Sequence, residues 1–200
     1  MSEATTRTVP FPWLVAGWLV TGVALAGAKV LAHVPQLALI YMVGSVAIAA
    51  VVYYRGGALH AWADAIPLRA LVALHAIRLP IGAVFLWEYA HGRLPASFAV
   101  RGGVGDIAVG IAAIMMVCAI GAVARPRLLA MFSVLGLVDI VVVAATAMYL
   151  LLVAKEPLMT AALTSMSYAL LPLVVVPVII ASHVLALSRL WRSARSLAGA

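Results

Sequence analysis

The chain has 200 residues, of which 66% are hydrophobic and only 10% charged, and its net charge is +7. With a mean hydropathy of +1.19, a soluble fold of this length could not bury its apolar surface, so composition excludes a soluble domain and predicts an integral membrane protein. The positive charge does not indicate a nucleic-acid partner, because the basic residues mostly stand at the ends of apolar runs.

Six apolar runs follow one another, each with about the 20 residues that a helix needs to cross a bilayer. They cover 12–33, 36–54, 68–90, 104–124, 128–153 and 167–190. The first ends in ALAGA, which resembles a signal-peptidase site, and we interpret this run as a retained span. Between the second and third runs, the amphipathic segment 58–66 is typical of an interfacial helix. The sequence therefore predicts an all-α, polytopic transmembrane helical bundle of about six spans, forming one domain over 1–200.

Basic residues predict the orientation of this bundle. If the N-terminus is cytoplasmic, the opposite side holds three basic residues, whereas the cytoplasmic side holds eight: Arg7, Arg55, Arg69, Arg125, Arg127, Arg189, Arg192 and Arg195. The three on the opposite side are Arg93, Arg101 and Lys155. Cytoplasmic loops carry the excess of Lys and Arg, so both termini are expected in the cytoplasm, with the chain in the cell (inner) membrane.

Two opposite charges lie deep inside predicted spans. By helical rise, Arg78 is about 15 Å and Asp139 about 17 Å from the cytoplasmic face, so the two should meet near the bilayer centre. Each such charge costs about 2.5–3.5 kcal/mol on insertion scales, and intramembrane charges usually face the bundle interior. We expect a buried Arg78–Asp139 ion pair. This pair either forms a binding site for a solute or an ion, or only holds the two helices in their packed arrangement.

Three further ionisable residues are predicted nearer the outer surface, namely Lys29, Glu88 and Asp106. Asp106 follows a glycine-rich stretch, 102–105, which predicts a helix start at this point. Either Asp106 caps that helix, or the three residues line an outer polar vestibule.

Two histidines lie at a matched depth, about 10 Å from the cytoplasmic face. His75 and His183 could be proton-labile members of the Arg78–Asp139 network, because histidine titrates near neutral pH. Alternatively they could bind a b-type haem axially, although no cofactor and no other metal site is predicted outright.

Residues 103–106 read Gly-Val-Gly-Asp, the GxGD pattern of intramembrane aspartyl proteases. In that alternative Asp139 would be the second carboxylate, because two carboxylates that share a proton can activate water. In presenilin-like proteases the GxGD aspartate follows its partner along the chain, whereas here it precedes it. This order argues against the protease alternative; whether the protein is an enzyme stays open, with a non-enzymatic role favoured.

Three stretches resemble an uncharacterised group of bacterial multi-pass membrane proteins. They are IRLPIGAVFLWEYAHGRLPASFAVRGGVGDIAVGIAA (77–113), LGLVDIVVV (135–143) and LLPLVVVPVIIASHVLALSRL (170–190), about a third of the chain. The group's pattern is matched by Arg78, Asp106, Asp139 and His183, and the resemblance implies a shared buried polar site without naming a substrate.

The chain is also similar in size to the substrate-binding subunits of energy-coupling-factor vitamin transporters. Its small-residue ridge Ala24, Ala28 and Ala32 resembles the surface that those subunits use to dock their partner. We expect the protein to bind or move a small solute, an ion or a proton through a buried polar site. The alternatives are a haem protein, and an accessory or substrate-binding subunit with a membrane-protein partner or a second copy of the chain.

Overall fold

The computed structural model describes residues 11–119 and 125–198, and within those ranges all regular structure is helical. The helices are α1 (Phe11–Gly27), α2 (Val30–His33), α3 (Gln36–Tyr54), α4 (Ala58–Ala65), α5 (Leu68–Leu74), α6 (Arg78–Ala90), α7 (Ala96–Cys118), α8 (Pro126–Leu152), α9 (Pro157–Ala162), α10 (Met166–Leu170) and α11 (Val176–Ala198). A 3-10 turn, His75–Ile77, joins α5 to α6, and a π-helical turn, Leu171–Val175, joins α10 to α11.

Five helical segments among the described residues are long and apolar enough to cross a membrane: Gln36–Tyr54, Leu68–Ala90, Ala96–Cys118, Pro126–Leu152 and Met166–Ser196. The chain is thus a membrane-embedded helical protein, as composition predicts. The remaining run, predicted over 12–33, is divided, because Lys29 adopts a left-handed backbone conformation (φ 53°) between α1 and α2. Its apolar part, Trp13–Gly27, is shorter than the other five.

Helix α7, which corresponds to the fourth predicted span, differs most from its predicted bounds. It starts at Ala96, eight residues before the predicted start at residue 104, and Pro95 precedes it. The glycines at 102, 103 and 105 do not break the helix, because they lie where neighbouring helices approach it closely. The predicted end of this span, residues 120–124, lies outside the described residues, as does Arg7.

The backbones of helices α6 and α7 approach each other closely. A Cβ added to Gly110 would lie 2.6 Å from the backbone nitrogen of Leu79, and one added to Gly103 would lie 2.7 Å from Leu86 Cγ. Small residues allow this approach in membrane proteins. The packing brings the first turn of α6, with Arg78, directly against the middle of α7.

Ion pairs and hydrogen bonds connect α4 to the end of α11. Tyr53 donates a hydrogen bond to Asp64 (2.9 Å), and Arg192 donates two, at 2.8 and 2.9 Å. These bonds, first of all those from Arg192, hold the pKa of the Asp64 carboxyl at about 2. Arg69 also donates to the carbonyl of Val117 (3.0 Å), so the ends of α3, α7 and α11 and the start of α5 lie at one end of the bundle.

Two apolar cores flank a polar middle layer. The larger core includes Phe85, Phe98 and Leu151, and the smaller one contains Val72, Ala113, Met116, Leu129 and Phe132. On α7 and α8 the charged residues Asp106 and Asp139 stand between members of the two cores. This layer is the only part of the described bundle where buried charges meet.

Candidate functional site

Arg78 is completely buried (0% exposed) at the start of α6. The 3-10 turn before it has a local cause: Pro80 lacks an N–H, and its ring crowds the carbonyl four residues earlier. The regular helix is therefore interrupted next to the site.

The guanidinium of Arg78 donates to three acceptors on two helices. Its Nε bonds Asp106 Oδ1 of α7 at 2.6 Å, one terminal nitrogen bonds the carbonyl of Gly136 of α8 at 3.2 Å, and the other bonds Asp139 Oδ2. The structure thus brings Arg78 and Asp139 together, as their depths predict. Gly105 leaves room for this contact, because a Cβ there would lie 2.9 Å from Asp139 Cγ.

The predicted position of Asp106 near the outer surface is wrong. Because α7 begins at Ala96, Asp106 lies ten residues, about 15 Å, inside the helix and is 3% exposed. It therefore neither caps a helix nor lines an outer vestibule with Lys29 and Glu88. Glu88 instead forms an ion pair with Arg93, and Lys29 is exposed at the break between α1 and α2.

One arginine and two aspartates give this cluster a formal charge of −1 when both carboxylates are ionised. An excess charge in a low-dielectric interior is costly, and it is relieved by a proton or by a bound cation. The two carboxylates differ in surface exposure: the side chain of Asp106 is 5% exposed and that of Asp139 is 24% exposed.

A cavity of about 80 Å³ reaches Asp106 from the side of the larger core. Its wall is otherwise made of uncharged residues, among them Phe85, Val143 and Tyr168. The buried hydroxyl of Tyr168 has no hydrogen-bond partner among the described residues. This volume is about half of the roughly 150 Å³ of a cavity that holds benzene, so the space is too small for a drug-sized molecule.

His75 and His183 lie on the other side of Arg78 and stack directly on each other. Their ring centroids are 3.9 Å apart, with 20° between the planes. This arrangement does not fit a haem bound axially by the two residues, because the macrocycle would have to lie between the rings. The described residues contain no group of three or more His, Cys, Asp or Glu side chains that could hold a metal ion.

The two aspartates also differ from a proteolytic dyad. In an aspartyl protease two carboxylates share a proton and activate a water. Here one oxygen of each carboxylate accepts from a single buried guanidinium, so an arginine lies between the two aspartates where a protease dyad shares a proton.

Several residues of this layer were not predicted from the sequence. They are Gly136, whose carbonyl accepts from Arg78, and the buried hydroxyls of Ser133, Tyr168 and Ser182. Gly136 carries the one sequence signal, since it stands three residues before Asp139 on the same face of the helix.

No curated protein and no solved structure is similar to the chain at a significant level. A family model described as a domain of unknown function (DUF8737) matches residues 34–191, a range that contains Arg78, Asp106, Asp139 and both stacked histidines. Because this match covers well over half of the chain, the protein belongs to the DUF8737 family.

Proposed function

We propose that the protein binds a proton or small cation at Arg78, Asp106 and Asp139 and moves it through the membrane. The observation that carries the proposal is the charge of the buried cluster, in which one arginine faces two carboxylates. A site with this balance attracts one positive charge, and intramembrane carboxylates are typical of ion and proton paths.

The cavity is too small for an organic solute of drug size. Sites for drug-sized ligands have volumes of about 300–1,000 Å³, whereas the space beside Asp106 is about 80 Å³. Asp106 is the charged group in the wall of this cavity, so it is the carboxylate that an ion arriving from that side would meet. Neutralising Asp106 would weaken its bond to Arg78 and so couple ion binding to the packing of α6 against α7.

Flux measurements on protein in liposomes test this proposal. We expect the reconstituted protein to carry protons, followed with an enclosed pH-sensitive dye, or sodium, followed with a radioactive tracer. Asp106→Asn and Asp139→Asn should each lower the flux at least tenfold. Glu156→Gln is the matched control, because Glu156 caps α9 outside the polar layer. Folded Asn variants with wild-type flux would contradict the proposal, and a wild type without flux would favour an accessory subunit.

We also propose that the protein lies in the inner membrane of a bacterial cell, with six spans and both termini in the cytoplasm. The basic ends of α11 and α5 share one end of the bundle, which supports a common side for those arginines. A C-terminal green fluorescent protein should therefore fluoresce, while fused alkaline phosphatase stays inactive. The reverse pair of results would overturn this orientation.

A further inference from the structure

A second set of polar atoms is buried next to the proposed ion site, and several of them have no hydrogen bond. The atoms without a hydrogen bond are both ring nitrogens of His183, Nδ1 of His75 and Oγ of Ser133. Each of the three residues is 1% exposed. Buried polar atoms are nearly always hydrogen-bonded to protein or to ordered water, so this group points to a polar ligand.

The set is continuous with the ion site through Gly136. The carbonyl of Gly136 accepts from Arg78, and a Cβ added to the same residue would lie 2.5 Å from His183 Cε1. His75 stands three residues before Arg78, and Ser182 Oγ lies 3.1 Å from His75 Nε2. The stacked rings therefore extend the polar layer from Arg78 toward the end of the bundle where α4 meets α11.

The surroundings of the rings decide which ligand fits. From α8 they face Phe132 and Gly136, which carry no charge, and from α11 the hydroxyl of Ser182. Arg78 is the charged group that acts on both rings. Its positive charge disfavours a metal ion here, and two imidazoles without a third ligand do not form a usual metal site. Water satisfies imidazole nitrogens and hydroxyls without adding charge.

We propose that His75, His183 and Ser133 hold ordered water and form the inner stage of a proton path, so that the ion carried is a proton. This inference rests on the proposed function and names its ion. A proton leaves the carboxylic acid of Asp106 or Asp139, which becomes a carboxylate, and passes through water to a nitrogen of a neutral ring. The imidazolium then gives the proton on its other nitrogen to water on the far side. Arg78 repels the imidazolium, so the rings pass the proton on without holding it.

Solid-state NMR of the wild-type protein in bilayers, with ¹⁵N-labelled histidine, tests the water site independently of any flux. We expect magnetisation transfer from water to the ring nitrogens of His75 and His183, assigned through the single variants His75→Gln and His183→Gln. Rings without water contact would overturn the inference, whether or not the protein carries ions.

Flux then tests the relay. His183→Gln keeps a polar side chain of similar size but cannot become protonated, and it should lower proton flux at least tenfold. His33→Gln is the matched control, because His33 is an exposed histidine at the end of α2. The folded state of each variant is checked by its elution profile. If Asp139→Asn abolishes flux while folded His183→Gln retains it, the relay is wrong and the proposed function stands.

Discussion

Replacing Gly110 with alanine would test the idea that close helix packing sets the geometry of the ion site. The added Cβ would lie 2.6 Å from the Leu79 nitrogen and 2.9 Å from its Cα, whereas carbon atoms in contact are about 3.5–4.0 Å apart. These are backbone atoms, so no side-chain rotation relieves the overlap, and α6 must move by roughly 1 Å. A shift of that size would displace Arg78, the residue next to Leu79, relative to Asp106 and so disturb their 2.6 Å hydrogen bond.

Overpacking of this kind costs about 1–3 kcal/mol. In a chain of this size each kcal/mol changes the melting temperature by about 2–4 °C, so Gly110→Ala should melt roughly 2–12 °C below the wild type. Thermal unfolding in detergent, followed by tryptophan fluorescence, measures the change. Gly44→Ala in α3 is the control, because a Cβ there meets no atom within 4 Å. If the two variants melt at the same temperature, the described approach of α6 to α7 is wrong.

Two further outcomes follow from the charged contacts. Arg78→Met removes the cation from the buried carboxylate of Asp106 and the partly buried carboxylate of Asp139, and should lower the free energy of unfolding by about 3–5 kcal/mol. Adding Asp106→Asn and Asp139→Asn to it should restore part of the loss, and unchanged stability in the single variant would contradict the ion-pair geometry. Because Arg192 holds the pKa of Asp64 at about 2, the Asp64 carboxylate stabilises the fold above pH 4 and loses this effect as the pH falls toward 2. The difference in melting temperature between wild type and Asp64→Asn should therefore shrink between pH 5 and 2, and a constant difference would refute the contact.

Composition and charge placement predict much of this molecule, because lipid imposes strong constraints. Apolar runs long enough to span a bilayer must form helices, and five of them do. Counting residues from the ends of the runs also places Arg78 level with Asp139. Depth along a helix follows from sequence alone whenever the ends of the helix are predicted well.

The position of Asp106 shows where such counting fails. Glycines at 102, 103 and 105 suggest a helix start, as they would in a soluble protein. In this bundle they lie within α7 and allow α6 and α8 to approach it. The error of eight residues moved Asp106 to the wrong depth and hid its bond to Arg78. The cavity and the unpartnered ring nitrogens depend on how several helices meet, which no single run of sequence records.

The π-helical turn at Leu171–Val175 has a consequence for the length of the last helix. Val176 donates its N–H to the carbonyl of Leu171, five residues back, so this turn contains one residue more than an α-helical turn. Because a π turn accommodates its extra residue within about one revolution, removing one residue here would restore a regular α-helix and leave the helix after it at nearly the same rotation relative to α10. His183 would then keep its orientation toward the interior. A chain that lacks one residue between Tyr168 and His183 can therefore keep the same site by replacing the π turn with an α turn, so the length of this segment is not a determinant of the site.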